Sequence, residues 1–249
     1  MRKIDLMKVT AAGLTDVGLK RKKNEDNILV DQEMGLFVVA DGMGGHKGGD
    51  MASRIAVEAM QEVVKTHREE HTFLSPRAMM EEGYTEASSR IYDQSQLNNQ
   101  QLQGMGTTLV AAYVHDNEIF VGNVGDSRAY YFNKQYMWQM TEDHSLVNEH
   151  IRAGLLKDSE AKDFQAKNII TRSVGFERSV RCDVIRKKLT PGDYFLLCSD
   201  GLCGLVEDEV VHEVCKNNSM EKAVEICVEK AKEAGGDDNI TVLLIKVEN

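Results

Sequence analysis

The chain of 249 residues predicts an α+β fold, with sheet packed on sheet and helices outside. Three observations carry this. Predicted strands and helices come in separate runs: strands, two helices, many strands, two helices, one strand. The middle strands are short, apolar or β-branched, and separated by turn residues such as Asp116-Asn117; this suits an antiparallel meander rather than parallel units with crossover helices. Only two prolines occur, Pro76 and Pro191, and no Ser/Gly/Pro-rich linker divides the chain, so one domain over residues 1–249 is expected. At 42% hydrophobic residues, the chain can bury one sizeable core.

A first strand is predicted over residues 9–17, before Gly18. The polar stretch from Arg21 to Asn27 turns into a second strand, and Asp31 to Gly35 forms a hairpin loop into a third at 37–40. Over 49–66 the period changes: Ala52, Ile55, Ala56, Ala59, Met60 and Val63 recur at three- and four-residue steps, as on one helix face. Ser75-Pro76 opens a second helix running to about 96, with Ser as N-cap and Pro at the first helical position. Residues 94–103 have no core-forming pattern and predict a loop. Strands follow at 107–114, 118–121 and 128–132, then a short helix at 144–153. Residues 154–168 are charged and weakly patterned, which predicts a mobile surface segment. Strands at 182–189 and 194–198 flank the turn Thr190-Pro191-Gly192-Asp193. Helices are predicted at 207–216 and 220–234, the second capped by Ser219 with an apolar stripe of Ala223, Val224, Cys227, Val228 and Ala231. A strand at 240–247 ends the order.

The net charge of −10 argues against a broad basic surface, so no nucleic-acid partner is expected. The basic run Lys20-Arg21-Lys22-Lys23 is local, and acidic residues follow it at once. No apolar run reaches the length of a membrane span, and Met1-Arg2-Lys3-Ile4-Asp5 lacks the apolar core of a secretory signal. A soluble, cytoplasmic protein is therefore expected. The five cysteines form no Cys-x-x-Cys pair, which predicts reduced, packed thiols rather than a zinc site or disulfides.

The strand ends share one device. Phe37-Val38-Val39-Ala40-Asp41-Gly42-Met43-Gly44-Gly45 is an apolar run that stops at a carboxylate and then at glycines, which let the chain pass close to a ligand. Val124-Gly125-Asp126, Cys198-Ser199-Asp200-Gly201 and Gly236-Asp237-Asp238-Asn239 repeat the device, and Glu25-Asp26 precedes another strand. A single Asp-Gly at a strand end is ordinarily a turn. Four such endings in one chain point instead to carboxylates gathered around cations. Like charges at close range resist joint ionisation, and divalent metals remove that cost. An all-oxygen set suits Mg²⁺, Mn²⁺ or Ca²⁺ rather than Zn²⁺.

The ordered set Arg21-x-x-Asn24-Glu25-Asp26, Asp41-Gly42-Met43-Gly44-Gly45, Gly106-Thr107-Thr108, Gly125-Asp126-Ser127-Arg128, Ser199-Asp200-Gly201 and Asp238-Asn239 resembles the metal-dependent protein phosphatase 2C family, in particular its compact bacterial members. The resemblance covers about residues 15–247. It implies a four-layer α-β-β-α sandwich of two mainly antiparallel sheets flanked by helices, with a two-metal centre in a cleft at one edge. Carried over residue by residue, it implies that Asp41 bridges both ions and that Asp200 and Asp238 complete the first site. Glu25 and the Gly42 carbonyl would serve the second, largely through waters. Asp126 with Asp200 resembles a third, weaker site. Asp26 and Asn239 resemble the partners that orient ligands and waters. Arg21 resembles the phosphate-binding arginine; without the Asn24-Glu25-Asp26 that follows, it would pass as a solvated basic turn.

The resemblance implies a serine/threonine protein phosphatase using Mn²⁺ or Mg²⁺, two core ions and a possible third. Water or hydroxide bridging the two ions would attack the phosphoester directly, without a covalent enzyme intermediate. Many eukaryotic relatives carry a histidine after the Asp-Gly that can protonate the leaving oxygen; here that position is Met43, which cannot. His46, three residues on, is the candidate acid. Residues 145–168 correspond to the family's variable flap, and Arg172 is a candidate contact to substrate or flap. A catalytically silent phosphoprotein-binding regulator on the same fold is the alternative, but silent relatives generally lose metal carboxylates, and this set is complete. The partners expected are phosphorylated proteins, with a cognate serine/threonine kinase and its substrates; no membrane partner is expected, and the expected state is a monomer.

Overall fold

The computed structural model describes residues 7–44, 48–70, 74–97, 102–166 and 168–248. Three strands open the chain: β1 (Val9–Asp16), β2 (Asp26–Asp31) and β3 (Leu36–Met43). Two long helices follow, α1 (Gly48–Glu69) and α2 (Pro76–Ser95). Then come β4 (Gly106–Thr107), β5 (Leu109–His115), β6 (Glu118–Val124), β7 (Arg128–Phe132) and β8 (Met137–Gln139). Helix α3 (Leu146–Arg152) and a 3₁₀ turn (Asp158–Asp163) lead to β9 (Asp183–Lys188) and β10 (Tyr194–Cys198). The chain closes with α4 (Asp200–Cys203), α5 (Asp208–Asn217), α6 (Met220–Glu233) and β11 (Ile240–Val247).

Two sheets result, ordered β1-β11-β10-β7-β8 and β2-β3-β5-β6-β9, and every strand pair is antiparallel. Side-chain alternation sorts their residues into layers. Phe37 and Val39 of β3 face the other sheet and meet Phe195, Leu197, Leu243 and Ile245 in a common core. Their neighbours Val38 and Ala40 face outward and pack with Ala56, Met60, Met80 and Tyr84 of α1 and α2. In the other sheet Leu196, Val242 and Leu244 face outward onto Val214, Val224 and Cys227 of α5 and α6. The order is helix, sheet, sheet, helix, as the sequence predicts. Both faces of the central strands are covered, so they read as continuous apolar runs rather than as alternation.

Helix starts follow local chemistry. The hydroxyls of Ser75, Ser145 and Ser219 accept hydrogen bonds from the amides of Ala78, Asn148 and Lys222 and so cap α2, α3 and α6. Three features depart from the sequence reading. The strand predicted at 107–114 is interrupted at Thr108, where the Thr108 amide donates to the Asp41 carbonyl at 2.9 Å and the Asp41 amide donates to Thr108 Oγ1 at 3.0 Å. The three-residue β8 and the four-residue α4 are too short to leave a period. Within the segment predicted as unpatterned, Asp158–Asp163 forms a 3₁₀ turn. All five cysteines are free thiols, four of them buried. Among the described residues no helix is long and apolar enough to cross a membrane.

Candidate metal centre and active-site cleft

Sheet register brings the acidic strand ends to one edge of the sandwich. Asp26, which opens β2, lies directly opposite Asp41 near the end of β3. Asp126 follows β6, Asp200 follows β10, and Asp238 precedes β11, which pairs with both β1 and β10. The charges of Asp26, Asp200, Asp126 and Asp238 all act on Asp41. Five of the acidic residues singled out in the sequence thus converge on one floor.

Two of the carboxylates, Asp26 and Asp238, are held by partners from distant parts of the chain. Asp26 is 4% exposed, and its Oδ2 accepts hydrogen bonds from Thr241 Oγ1 at 2.6 Å and Ser199 Oγ at 2.8 Å. Asp238 Oδ1 accepts from the Asn239 amide at 2.8 Å, and its Oδ2 accepts from Arg21 Nη2 at 2.6 Å. Asn239 clamps three segments: its Oδ1 accepts from the Glu25 amide at 2.8 Å, and its Nδ2 donates to the carbonyls of Val17 and Lys23, each at 3.0 Å. Glu25 sits against the start of α1. Its carbonyl accepts from Ser53 Oγ at 2.5 Å and from the Gly42 amide at 3.2 Å. Close approach dictates glycine here: a Cβ on Gly42 would lie 2.1 Å from the Gly49 carbonyl oxygen, and one on Gly49 would lie 2.9 Å from the Glu25 carboxyl carbon.

Crowding shows in proton affinity. Burial, then the charges of Asp26, Asp200, Asp126 and Asp238, push Asp41 well above the usual carboxylate range. Burial, then Asp200 and Asp143, push Asp126 up to about 7. Burial pushes Asp26 up to about 6, against the hydrogen bonds from Thr241 and Ser199. Asp200 is raised by burial and by Asp238, while a hydrogen bond with Asp41 opposes this. Asp41, Asp126 and Asp200 still meet solvent in the cleft floor.

The residues fit hard divalent cations. The donors are oxygens only, and two of them, Asp26 Oδ1 and Asp200 Oδ1, are buried with no hydrogen-bond partner. A dication would satisfy such oxygens and displace the protons that crowding recruits. Among the described residues no three acidic, histidine or cysteine side chains close into a ready-made cage. Asp41, Asp126 and Asp200 are each partly exposed, which suits ions that keep several waters.

One sequence candidate lies elsewhere. Arg172 does not reach the acidic floor: its Nη1 donates to Asp183 Oδ2 and to the Arg181 carbonyl, each at 3.2 Å. His46 lies outside the described residues. The structure adds residues that the sequence reading did not single out. Ser199 and Thr241 hold Asp26. Thr108 Oγ1 contacts Ser127 Oγ at 2.7 Å beneath the Asp126 turn. Arg128 grips Asp143 with its Nε and Nη2. His144 touches both Gly125 and Asp183. Thr108, Ser127, Arg128 and Ser199 stand inside motifs of the ordered set, without a role assigned to them; Thr241, His144 and Asp143 carry no local signal.

Comparison with known proteins agrees with this geometry. A family model described as Protein phosphatase 2C matches residues 20–235. The serine/threonine phosphatase stp of Listeria innocua serovar 6a is 37% identical over 238 residues, covering 93% of each chain. Protein phosphatase PhpP of Streptococcus pneumoniae is 35% identical over 238 residues, covering 94% of this chain and 96% of that one. The crystal structure of the Mycobacterium tuberculosis serine/threonine phosphatase PstP/Ppp superposes with a TM-score of 0.89 at 30% identity, covering 98% of this chain and 100% of that one. The catalytic domain of PstP in complex with two manganese ions gives a TM-score of 0.86 at 30% identity, covering 98% of this chain and 100% of that one. With its acidic floor, its layered sheets and a family match over most of its length, the chain belongs to the protein phosphatase 2C family.

Proposed function

We propose that this chain is a Mn²⁺- or Mg²⁺-dependent phosphatase that hydrolyses phosphoserine and phosphothreonine esters of proteins. The observation that carries the reading is the acidic floor: Asp26, Asp41, Asp126, Asp200 and Asp238 act on one another at one sandwich edge, with unpartnered oxygens on Asp26 and Asp200. Asp41, Asp200 and Asp238 would hold one ion, and Asp41 with Glu25 and the Gly42 carbonyl another. Asp126 with Asp200 would hold a third. When bound, such ions polarise phosphoryl oxygens and make water nucleophilic near neutral pH.

The chain's own groups do the rest. Arg21 reaches Asp238 at the floor. Its planar guanidinium can turn paired donors to the phosphoryl oxygens, a geometry that lysine cannot copy. Asp26, fixed by Ser199 and Thr241, keeps one oxygen free at the floor and orients water there. Asn239 locks the Glu25 turn to the start of β11, so the two sheets present their carboxylates in fixed relation. Met43 has no proton to give, which leaves the leaving oxygen to His46 or to solvent. Segment 145–168 is read as a flap meeting the protein part of the substrate, with Arg172 anchoring its base.

The test is hydrolysis of p-nitrophenyl phosphate and of a phosphothreonine peptide with added Mn²⁺. EDTA should stop both. Asp41→Asn should cut kcat/KM by about 1000-fold or more, on the order of 4 kcal/mol of barrier. A silent binding protein would retain the phosphopeptide with no turnover in Mn²⁺ or Mg²⁺, and that result would overturn the proposal.

A further inference from the structure

His144 is a buried histidine at 7% exposure that the proposed chemistry leaves unused. Its ring lies between two elements of different kind. On one side Nδ1 accepts the Gly125 amide at 3.0 Å; on the other Nε2 meets Asp183 Oδ2 at 2.9 Å. An amide only donates, so Nδ1 carries no proton, and the ring proton sits on Nε2 and is donated to Asp183. The backbone adds to this grip. The His144 amide donates to the Gly125 carbonyl at 2.9 Å, so residue 144 holds both polar groups of Gly125. Only glycine fits that position: φ is +108°, and a Cβ would lie 2.6 Å from the Thr108 side chain.

The same residue stands at the neck of segment 145–170. The Thr171 amide donates to the His144 carbonyl at 2.8 Å, the Leu146 amide donates to the Ile169 carbonyl at 2.8 Å, and Ser145 bridges to Ile170. Asp183 also takes Arg172, which follows the returning end of the segment. Burial and the Arg172 charge both keep His144 neutral, against the hydrogen bond to Asp183.

We infer that His144 is a positioning residue: Nδ1 fixes the Gly125–Asp126 turn while Nε2–H fixes the neck of segment 145–170, so one neutral tautomer joins a metal-binding carboxylate to the flap base. The metal half of this rests on the reading of Asp126 given under the proposed function. The neck half does not.

The two ring nitrogens can be tested apart. His144→Asn leaves an oxygen near Nδ1 and nothing near Nε2; His144→Gln leaves an amide near Nε2 and nothing near Nδ1. Mn²⁺ binding is followed by the spectroscopic signal of free Mn²⁺, with Asp126→Asn marking the class of sites that needs Asp126. Amide hydrogen exchange at Leu146 and Thr171 reports the neck. The Asn variant should keep wild-type Mn²⁺ binding and exchange about 10-fold faster at both amides, the loss of about one hydrogen bond. The Gln variant should keep slow exchange and bind the Asp126-dependent Mn²⁺ about 10-fold more weakly. Equal loss of both readouts in the two variants, or no loss in either, would overturn the inference. Asp183→Ala lies at a half-exposed position and guards against misfolding of the core variants. It should exchange faster at Leu146 and Thr171 with Mn²⁺ binding intact, and unchanged exchange would count against the inference. If Asp126→Asn binds Mn²⁺ as the wild type does, the reading of Asp126 fails, and the exchange measurements still decide the neck.

Discussion

Removing divalent ions should invert the usual effect of acid on stability. Burial first, then neighbouring charge, raises Asp26 to about 6 and Asp126 to about 7, and lifts Asp41 well above its ordinary range. In the unfolded chain each returns to about 3.9. Between those limits the metal-free folded protein binds more protons than the unfolded chain does. Its stability therefore rises as pH falls from above about 7 to about 4, opposite to a protein whose carboxylates are salt-bridged. For the buried Asp26, a rise from 3.8 to about 6 is worth about 3 kcal/mol. For a chain of this size that is roughly 6 to 12 °C in Tm. The assay is thermal unfolding by circular dichroism in EDTA across that range, with and without Asp26→Asn. The substitution keeps an acceptor for Ser199 and Thr241 and should raise Tm at high pH while flattening the slope. With Mn²⁺ present, protons compete with the ion and the slope should reverse. A metal-free protein that loses stability steadily on acidification from neutral pH would refute the reasoning.

Further outcomes follow from single contacts. Arg21→Ala should lower kcat/KM by roughly 10- to 100-fold, from the ~1.5–3 kcal/mol of hydrogen bonds to a charged group, and Arg21→Lys should recover only part of it in steady-state kinetics. Gly201→Ala would place a Cβ 1.9 Å from the Asn239 carbonyl oxygen, backbone that cannot yield locally. It should push α4 away from β11, separate Asp200 from Asp238, and weaken Mn²⁺ binding measured by calorimetry. Leu243→Ala, fully buried between the sheets, should cost about 2–5 kcal/mol in denaturant unfolding.

The legibility of the sequence was uneven, for physical reasons. β3 and β11 were plain because each is an apolar run buried on both faces, and α6 because its apolar residues repeat at helical spacing. The carboxylates were visible because Asp41, Asp126, Asp200 and Asp238 stand at strand ends beside Gly or Asn. What holds them was not visible. Asp26 depends on Ser199 and Thr241, over 170 residues away; Ser199 stands in a motif and Thr241 in none, and neither hydroxyl names its partner in the sequence. His144 was hidden for the same reason: its partners Gly125 and Asp183 meet it only once β6 and β9 pair. Arg172, a candidate contact to substrate or flap because it follows segment 145–168, pairs with Asp183, a partner that nothing in the local sequence names.

The most direct measurement is anomalous diffraction at the manganese edge from crystals grown with Mn²⁺. Strong peaks are expected among Asp41, Asp200 and Asp238, with the unpartnered Asp200 Oδ1 turned to an ion. A well-ordered site with no peak among these three carboxylates at saturating Mn²⁺ would contradict the proposed metal site.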